Sequence, residues 1–330
     1  MKPIRWWTLG VLLVAAVMFL GGCALPRVTL FGDRDEPLKE YVLEGTDKGK
    51  VLLLSIDGTL SDRSQERLMR SRPSTVQQVV AYLRHAQRDP EIKALLLKIN
   101  SPGGTVTASD ILYHEIDAYK QRTGVKVVVA MMNVTASGGY YIALPADHIM
   151  AHPTTITGSI GVIFMRPGVS GLMEKTGLSV AVSKSGDQKD MGSPFRPETE
   201  TDAALFQELT DKLAQRFLDL VARHRHLTAA QMEQVARAGV YLADQAEALG
   251  LVDEIGYLDD AVAKAKQMAG LSTDARVVAY RRSKIEDDTL YHPAIRYQGG
   301  DLSSLLPFMA PLSDTATADF HYIWPAAAGR

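Results

Sequence analysis

The sequence predicts an α/β protein with a mainly parallel sheet. Three runs rich in Val, Leu and Ile, at residues 51–56, 92–99 and 125–132, have the composition of strands that are buried on both faces. Segments with helical spacing of their apolar residues separate these runs. Strands that alternate with helices of about 10 to 15 residues are typical of βαβ crossovers, which place neighbouring strands parallel to each other. The 330 residues are enough to bury a sizeable core.

The remaining predicted elements continue this alternation. Ser74 is a suitable N-cap for the helix that carries Val76, Val79 and Leu83 at helical spacing. Residues 178–183 alternate in polarity, which predicts a further strand. The other predicted elements are a helix at residues 109–119, a short strand at 148–151, a long helix from 198 to about 224, a helix capped by Thr228 and a closing helix at 258–269.

The composition excludes several classes of function. Acidic and basic residues are interspersed and the formal net charge is −2, so the chain has no electrostatic footprint for nucleic acid. Cys23 is the only cysteine, which leaves neither a disulfide framework nor a cysteine metal site. No histidine or carboxylate cluster has zinc-like spacing, and residues 158–161 lack the third glycine of a dinucleotide-binding loop. We therefore predict no metal and no cofactor.

The first 25 residues have the pattern of a targeting segment. Lys2 and Arg5 precede an uncharged apolar run over residues 6–20. The sequence Leu-Gly-Gly-Cys23 that follows resembles the lipobox of bacterial lipoproteins, in which the chain is cleaved before the cysteine and the cysteine is acylated. The alternative is an uncleaved transmembrane anchor, since residues 6–25 are about long enough to span a bilayer. In either case the basic residues before the apolar run predict that the rest of the chain lies outside the cytoplasm.

The turn Ala136-Ser-Gly-Gly139 is the main candidate for a catalytic site. A buried strand is predicted before it and a helix-compatible segment after it. Such a turn exposes the hydroxyl of Ser137 and directs free backbone N–H groups to the same point, which is the arrangement of a nucleophile with half an oxyanion hole. The alternative for an isolated Ser-Gly-Gly sequence is a small-residue turn that packs tightly against a neighbouring element.

A second glycine loop, Asn100-Ser-Pro-Gly-Gly104, follows the second predicted strand. Its glycines let the backbone approach a substrate carbonyl closely. The N–H group of Gly103 or Gly104, together with that of Gly138 or Ser137, could converge on a developing negative oxygen. The alternative is an ordinary Pro-Gly turn.

The residues alone leave open which group would activate Ser137. A serine hydroxyl is a poor nucleophile until a base takes its proton. None of the eight histidines has an aspartate with an obvious orienting role. Lys184 and Lys189 lie in a glycine-containing loop after a predicted strand. A lysine serves as a base only if it is desolvated, and the alternative is that both are solvated loop charges.

Together these segments resemble the signal peptide peptidase family SppA, also called protease IV, which is peptidase family S49. The matching motifs occur in the family's order and are Lys98-Ile-Asn-Ser-Pro-Gly-Gly104, Ala136-Ser-Gly-Gly-Tyr-Tyr141, Thr157-Gly-Ser-Ile-Gly-Val162, Lys184-Ser-Gly186 with Lys189-Asp190, and Leu249-Gly-Leu-Val-Asp-Glu254. The resemblance covers about residues 51–268 and is to the short form of the family, which has a single core domain.

The resemblance implies a ClpP/crotonase-like fold of stacked βαβ units and a serine–lysine dyad. Ser137 corresponds to the nucleophile, and Lys189 to the general base through the pattern Lys-Asp-hydrophobic. Gly104 and Gly138 correspond to the oxyanion donors, and Gly103 shapes their loop. Members of the family form homo-oligomeric rings in which neighbouring subunits complete the active site, which would let Lys189 act on Ser137 of an adjacent chain.

We therefore expect a membrane-attached serine endopeptidase on the periplasmic side of a bacterial envelope, which degrades released signal peptides or other hydrophobic peptides. Its grooves are expected to hold small or aliphatic side chains. The predicted domains are a signal peptide or anchor at residues 1–22, a tether at 23–50, the peptidase domain at 51–270 and a C-terminal extension at 271–330. The alternatives are a crotonase-like enzyme acting on acyl-CoA, which export argues against, and a catalytically inactive ring scaffold.

Overall fold

The computed structural model describes residues 37–67, 70–292 and 319–327. The predicted targeting segment, with Cys23, lies outside these ranges. Within them, no helix is both long and apolar enough to cross a membrane.

Strands and helices alternate through the first half of the described chain. The strands are β1 (Lys39–Glu44), β2 (Asp47–Asp57), β3 (Gln65–Arg67), β4 (Arg70–Arg72), β5 (Ile92–Ser101), β6 (Gly103–Thr105), β7 (Lys126–Ala136), β8 (His148–Ala151), β9 (Ile156–Gly158), β10 (Val240–Leu242), β11 (Glu254–Ile255), β12 (Ala275–Arg281) and β13 (His321–Ile323). The helices are α1 (Thr75–Ala86), α2 (Val106–Thr123), α3 (Gly138–Tyr141), α4 (Ser170–Thr176), α5 (Glu200–His224), α6 (Ala229–Val235), α7 (Ala243–Ala248) and α8 (Leu258–Met268).

A mainly parallel sheet forms the centre of the protein. Its strand order is β1-β12-β2-β5-β7-β8-β11, and β9 pairs with both β7 and β10. Strands β2, β5, β7 and β8 run parallel to one another, with Leu54 opposite Leu97 and Leu97 opposite Val129. The pairs β1–β12 and β9–β10 are antiparallel. The prediction of an α/β protein with a mainly parallel sheet is confirmed.

Both faces of the central strands are buried, which explains their mainly apolar sequence. Successive side chains of a strand point to opposite faces. Along β2, Leu52 and Leu54 pack on one face with apolar residues of α1, α2 and α5. Val51 and Leu53 pack on the other face with residues of α8. Each fully buried Val or Leu side chain contributes about 1.5–3 kcal/mol relative to an exposed one.

The sheet extends beyond the predicted core of residues 51–270. Strand β1 and the first residues of β2 lie in the segment predicted as a tether, and β12 lies in the predicted C-terminal extension. Tyr41 lies opposite Ala279, and Val51 lies opposite Val277. The mixed sequence of β1 carries little signal by itself, because the strand gains its hydrogen-bonding partner only when the distant β12 joins the sheet.

The predicted strand at residues 178–183 is wrong. These residues follow α4 as an irregular segment. Leu178, Val180 and Val182 are 66%, 51% and 55% exposed, respectively. Residues that alternate between apolar and polar are suited to a half-buried pleated sheet. They form a strand only where a neighbouring strand and a core are available. In the described part of the chain, no strand pairs with this segment.

The carboxyl ends of β5 and β7 bring the two glycine loops together. Ser101, at the end of β5, lies opposite Thr135, which is the penultimate residue of β7. The Thr135 hydroxyl donates to the carbonyl of Ile99 at 2.8 Å. Ligands of open α/β sheets bind beyond the carboxyl ends of the strands, so a site is expected at this end of the sheet.

Candidate active site

Ser137 lies in a strained turn between β7 and α3. Its backbone angles are φ 51° and ψ −117°, which a residue with a β-carbon rarely adopts. Backbone strain of this kind persists where the surroundings fix it, and it clusters at functional sites. Here the Ser137 N–H donates to the carbonyl of Gly158 at 2.8 Å, and the Ser137 carbonyl accepts from the N–H of Tyr141 at 2.9 Å.

The hydroxyl of Ser137 is buried and has no hydrogen-bond partner among the described residues. Buried polar groups are nearly always hydrogen-bonded, so an orphaned hydroxyl needs an explanation. A small-residue packing turn, which was the alternative for this sequence, has no need to place a hydroxyl there. An unpaired serine hydroxyl on a strained turn at the end of a parallel strand is typical of a nucleophile whose base and substrate are not yet bound.

The glycines on either side of this turn leave no room for side chains. A β-carbon on Gly138 would stand 2.4 Å from Ser109 Oγ, and one on Gly139 would stand 2.5 Å from the carbonyl oxygen of Ser101. The Ser109 side chain is itself fixed, because its hydroxyl donates to the Thr105 carbonyl at 2.9 Å. Close packing therefore holds the Gly138 amide at one place beside the serine.

The second glycine loop lies directly against the serine turn. Gly103 has φ +104°, and a β-carbon on it would stand 2.7 Å from the Gly138 amide nitrogen. A β-carbon on Gly104 would stand 1.9 Å from the carbonyl oxygen of Leu60. The Leu60 N–H donates to the Gly103 carbonyl at 2.8 Å, and the Leu60 carbonyl accepts from the Thr105 N–H at 3.1 Å. Leu60 therefore holds the loop from below, a contact that the sequence did not predict.

The amide of Gly103 is already engaged, since its N–H donates to Ser101 Oγ at 3.1 Å. That bond leaves Gly104 and Gly138 as the candidate donors, and Gly104 is paired with Tyr322 of the antiparallel strand β13. The structure thus brings together Ser137, Gly103, Gly104 and Gly138. Acyl transfer requires an unpaired hydroxyl with backbone N–H donors beside it.

Two tyrosines anchor the short helix that follows Ser137. The Tyr140 hydroxyl donates to the carbonyl of Leu251 at 2.8 Å, and the Tyr141 hydroxyl donates to Asp110 Oδ1 at 2.6 Å. Burial raises the pKa of both phenols, so they remain neutral donors. These bonds fix α3, and α3 in turn fixes the Gly138 amide.

The two candidate lysines lie in an exposed loop after α4. Lys184 Nζ donates to the Asp187 carbonyl at 2.8 Å and to Asp190 Oδ1 at 3.0 Å. Lys189 is exposed, and in the ranges that the structure covers no hydrogen bond or ion pair engages its side-chain nitrogen. Neither lysine makes a hydrogen bond to Ser137 there. Hydrogen bonds from Arg196 and then Lys184 lower the pKa of Asp190.

A third lysine, Lys98 in β5, is buried but belongs to the opposite face of the sheet. It follows Ala94 and Leu96, which pack with α8. Its Nζ donates to the carbonyls of Leu290 at 2.7 Å and His292 at 3.2 Å. Burial lowers its pKa to about 8. These bonds tie the chain after β12 to the sheet. For metals, the ranges described contain no group of three or more His, Cys, Asp or Glu side chains that could hold an ion.

Comparison with protein families agrees with this arrangement. Residues 64–158 match the Clp protease family, and residues 119–272 match peptidase family S49. The first match, together with the mainly parallel sheet, confirms the predicted ClpP-like α/β class. Among solved structures, the chain is similar to a ClpP1 mutant from Listeria monocytogenes, with 17% identity and a TM-score of 0.41 over 64% of this chain and 94% of that one. It is also similar to a mutant of the 1510-N membrane-bound stomatin-specific protease, with 16% identity and a TM-score of 0.42 over 78% of this chain and 100% of that one.

Comparison with individual relatives shows to which family within these peptidases the chain belongs. A putative signal peptide peptidase SppA of Enterococcus faecium is 35% identical over 252 residues, which are 76% of this chain and 73% of the relative. A Protease 4 of Haemophilus influenzae is 33% identical over 241 residues, 73% of this chain and 38% of that protein. The chloroplastic serine protease SPPA of Arabidopsis thaliana is 34% identical over 209 residues, 63% of this chain and 31% of that protein. The chain belongs to the SppA family within peptidase family S49. Membership supports a peptidase of the serine type and disfavours the acyl-CoA alternative.

Proposed function

We propose that the protein is a membrane-attached serine endopeptidase in which Ser137 and Lys189 form the catalytic dyad. The observation that carries this proposal is the unpaired, buried hydroxyl of Ser137 in a strained turn beside the amides of Gly104 and Gly138. Its substrates are released signal peptides or other hydrophobic peptides, which agrees with the name of the Enterococcus relative.

The proposed reaction is acyl transfer to serine followed by hydrolysis. Ser137 Oγ attacks the scissile carbonyl carbon while the lysine amine takes the hydroxyl proton. The N–H groups of Gly104 and Gly138 donate to the oxyanion of the tetrahedral intermediate, and this stabilisation is usually worth about 10²–10³ in rate per donor. The lysine then gives its proton to the leaving amine. Water, activated by the same amine, hydrolyses the acyl-enzyme and restores the serine.

The difference between the two lysines supports Lys189 as the base. Lys184 is held by Asp190 and by a backbone carbonyl, and an ion pair keeps an ammonium protonated. Lys189 makes no such pair in the described chain. A lysine becomes a base only when it is desolvated, and Lys189 is exposed in a single subunit. We therefore propose that a homo-oligomeric ring buries it against Ser137 of a neighbouring subunit.

The segment before the lysines supports assembly. Leu178, Val180 and Val182 all lie exposed at every second position. Such a segment has alternating polarity but, among the described residues, no partner strand. A second copy of the chain would provide a partner if it offered the edge of a sheet. Packing of this segment against another subunit would bury its apolar side chains and carry the lysine loop with it.

Attachment to the membrane follows, in this proposal, from acylation of Cys23. Acyl chains on that residue would anchor the chain stably, since more than one buried chain gives lasting attachment. The bacterial SppA relatives support a place in the cell envelope. The catalytic domain would then lie on the periplasmic side, where released signal peptides are available.

The test is hydrolysis of a fluorogenic hydrophobic peptide by the full chain in detergent. Ser137→Ala and Lys189→Ala are each expected to lower kcat by roughly 10⁴-fold or more. The nucleophile and its base act as one unit, so loss of either residue removes most of the activity. Lys184→Ala is the matched control and should keep kcat within about threefold of the wild type. Undiminished hydrolysis by Ser137→Ala would refute the peptidase mechanism, and loss of activity in Lys184→Ala alone would move the base to Lys184.

A further inference from the structure

Strand β7 contains a break in its pairing with β5. Up to Ile99 the two strands pair residue by residue, with Ile99 opposite Met131, and the next pair is Ser101 opposite Thr135. Asn100 alone therefore faces three residues of β7, so β7 carries two extra residues at this point. An insertion of this kind is a β-bulge, and bulges often lie next to active sites, where they redirect a side chain.

The break determines which residue of β7 lies beside the glycine loop. Counted on from the pair of Ser101 and Thr135, Ser137 lies level with Gly103, whereas an unbroken ladder would bring Thr135 to that level. Strands rise by about 3.3 Å per residue, so the two extra residues draw the end of β7 back by about 7 Å. An even number of extra residues also keeps each side chain on its own face of the sheet. The close contact of Gly103 with the Gly138 amide agrees with this placement.

Asn100 fills the break from the side of β5. Val134 is buried and lies within the break, and its N–H donates to Asn100 Oδ1 at 3.2 Å. Buried backbone N–H groups are nearly always paired, and here a side chain replaces the backbone partner that a regular ladder would provide. The backbone of Asn100 is held as well, because its carbonyl accepts from the Gly58 N–H at 2.9 Å.

Asp57 orients the side-chain amide of Asn100. It lies directly opposite Asn100, on β2. An amide side chain has an acceptor oxygen and a donor NH₂ group, so with its oxygen on Val134 the Asn100 amide directs its NH₂ group at the Asp57 carboxylate. Burial raises the pKa of Asp57, and the Lys98 ammonium and the Asn100 amide oppose this effect. The carboxylate thus fixes which end of the amide meets the strand.

Thr155 fills the same break from the other side. Strand β7 pairs with β8 up to Met131 and with β9 from Val134 onwards. The fully buried Thr155 hydroxyl lies 3.0 Å from the Met131 carbonyl and 2.6 Å from the Met132 carbonyl, and it donates to them. Side chains on both sides of β7 therefore hold the break.

We infer that Asn100 is a positioning residue for the nucleophile: oriented by Asp57, its side chain holds the break in β7 that sets Ser137 level with Gly103. The inference rests on the proposed function, because it takes Ser137 as the nucleophile. It gives a role to a residue of the motif Lys98-Ile-Asn-Ser-Pro-Gly-Gly104 that the proposed mechanism does not use. Asn100 acts through the backbone of β7 and not on the reacting atoms.

Exchange of the two side chains tests this role. At pH 8, Asn100→Asp is expected to lower kcat about a hundredfold, because two carboxylates repel each other here and displace the end of β7. The double variant Asp57→Asn/Asn100→Asp should be at least about tenfold more active than Asn100→Asp. In this variant the amide at position 57 can donate to the carboxylate at position 100, which still accepts from the Val134 N–H. KM should stay within about threefold of the wild type in both variants, since the loss lies in the placement of the hydroxyl.

Hydrolysis of a fluorogenic hydrophobic peptide by the full chain in detergent measures kcat and KM, and circular dichroism checks the fold. Asn133→Asp is the matched control, because Asn133 lies in the same break with an exposed side chain, and it should keep kcat within about threefold of the wild type. A role in stability alone would leave the kcat of folded Asn100→Asp unchanged, and that result would overturn the inference. A folded double variant no more active than Asn100→Asp would overturn it as well.

Hydrogen exchange tests the contact without relying on catalysis. In Asn100→Ala the Val134 amide loses its acceptor, and it is expected to exchange at least about tenfold faster than in the wild type. The Val129 amide, in the unbroken part of β7, should exchange as in the wild type. Unchanged exchange at Val134, or equal acceleration at both amides, would contradict a local role of Asn100.

The two experiments separate the inference from the proposed function. A wild-type protein without Ser137-dependent hydrolysis would refute the proposed function, and the exchange rates would still decide whether Asn100 holds the break. Ser137-dependent hydrolysis that is undiminished in folded Asn100→Asp would leave the proposed function standing and refute the inference alone.

Discussion

Gly103 and Gly138 lie so close together that a β-carbon on Gly103 would stand 2.7 Å from the amide nitrogen of Gly138. The two residues come from different loops, which follow β5 and β7. Their contact joins the loop that carries one proposed oxyanion donor to the turn that carries the other. Substitutions at these glycines therefore test the geometry of the site without removing a reactive group.

Gly103→Ala is expected to lower kcat/KM by about a hundredfold, because the added methyl group separates the Gly104 and Gly138 donors. The residue has φ +104°, so alanine is strained there whatever the space around it. Steady-state hydrolysis of a Ser137-dependent peptide substrate is the measurement. Gly168→Ala is the control, since a β-carbon on Gly168 would meet nothing within 4 Å beyond its chain neighbours. Activity of Gly103→Ala equal to that of Gly168→Ala would show that the donors are placed elsewhere.

The strain at Ser137 predicts that two inactive variants differ in stability. With φ at 51°, alanine at this position keeps the strained backbone, whereas glycine relieves it. We expect Ser137→Gly to be more stable than Ser137→Ala by about 1 kcal/mol, after the entropy that glycine adds to the unfolded chain is counted. Urea unfolding followed by circular dichroism measures the difference. A Ser137→Ala variant more stable than Ser137→Gly would mean that the turn is not strained.

A dyad formed between subunits predicts complementation of two inactive variants. In rings assembled from equal amounts of Ser137→Ala and Lys189→Ala subunits, about one site in four combines an intact serine with an intact lysine from its neighbour. We expect activity near a quarter of wild type after the mixture is dissociated and reassembled. Each variant treated alone is the control. Reassembled rings that remain inactive would place the dyad within one subunit or exclude Lys189.

Acidification is expected to weaken the pairing of β13 with β6 through His321, which lies opposite Thr105. This imidazole is buried and both of its ring nitrogens lack partners among the described residues. Burial lowers its pKa below the ordinary value of 6.5, with Asp319 opposing and Arg63 adding to the effect. The pKa of His321 is lower when β13 is paired than when it is released. The paired state is therefore favoured fully above pH 6.5 and loses stability as the pH falls below that value.

Amide hydrogen exchange at two pH values measures this effect. In the full chain, the protection factors of the β13 amides should fall by up to about tenfold between pH 7.5 and 5.5. The His321→Gln variant is the matched control, since glutamine does not titrate, and its protection factors should change much less. The same loss in both proteins would assign the pH dependence to a group other than His321.

Local sequence was sufficient for the central sheet. The runs that became β2, β5 and β7 are mainly apolar and do not alternate in polarity, and burial on both faces accounts for such a pattern. It was insufficient at residues 178–183, where the same kind of argument predicted a strand that is not formed. Alternating polarity indicates that a segment is suited to a sheet. It does not show whether the edge of a neighbouring strand is available for pairing.

The serine turn and its glycines could be predicted because their constraints are local. A strand, a small polar residue and two glycines specify a sharp turn from a few consecutive positions. The contributions of Leu60 and Ser109 could not be predicted from the sequence. The Leu60 carbonyl packs against Gly104 and the Ser109 hydroxyl packs against Gly138, and both contacts exist only in the folded protein. The pair of lysines was visible in the sequence, but the exposed position of Lys189 and the ion pair of Lys184 came from the structure.

The α/β class and the family follow from the amino-acid sequence alone, because buried strands and ordered motifs are runs of consecutive residues. The position of β13 beside the glycine loop of the site depends on how the whole chain folds. The pairing of Tyr322 with Gly104 joins segments that are distant in the chain, and main-chain hydrogen bonds between strand edges depend little on side-chain identity. Nothing in the sequence of β13 indicates the edge with which it pairs. That edge exists only after β5 and β7 have brought their loops together.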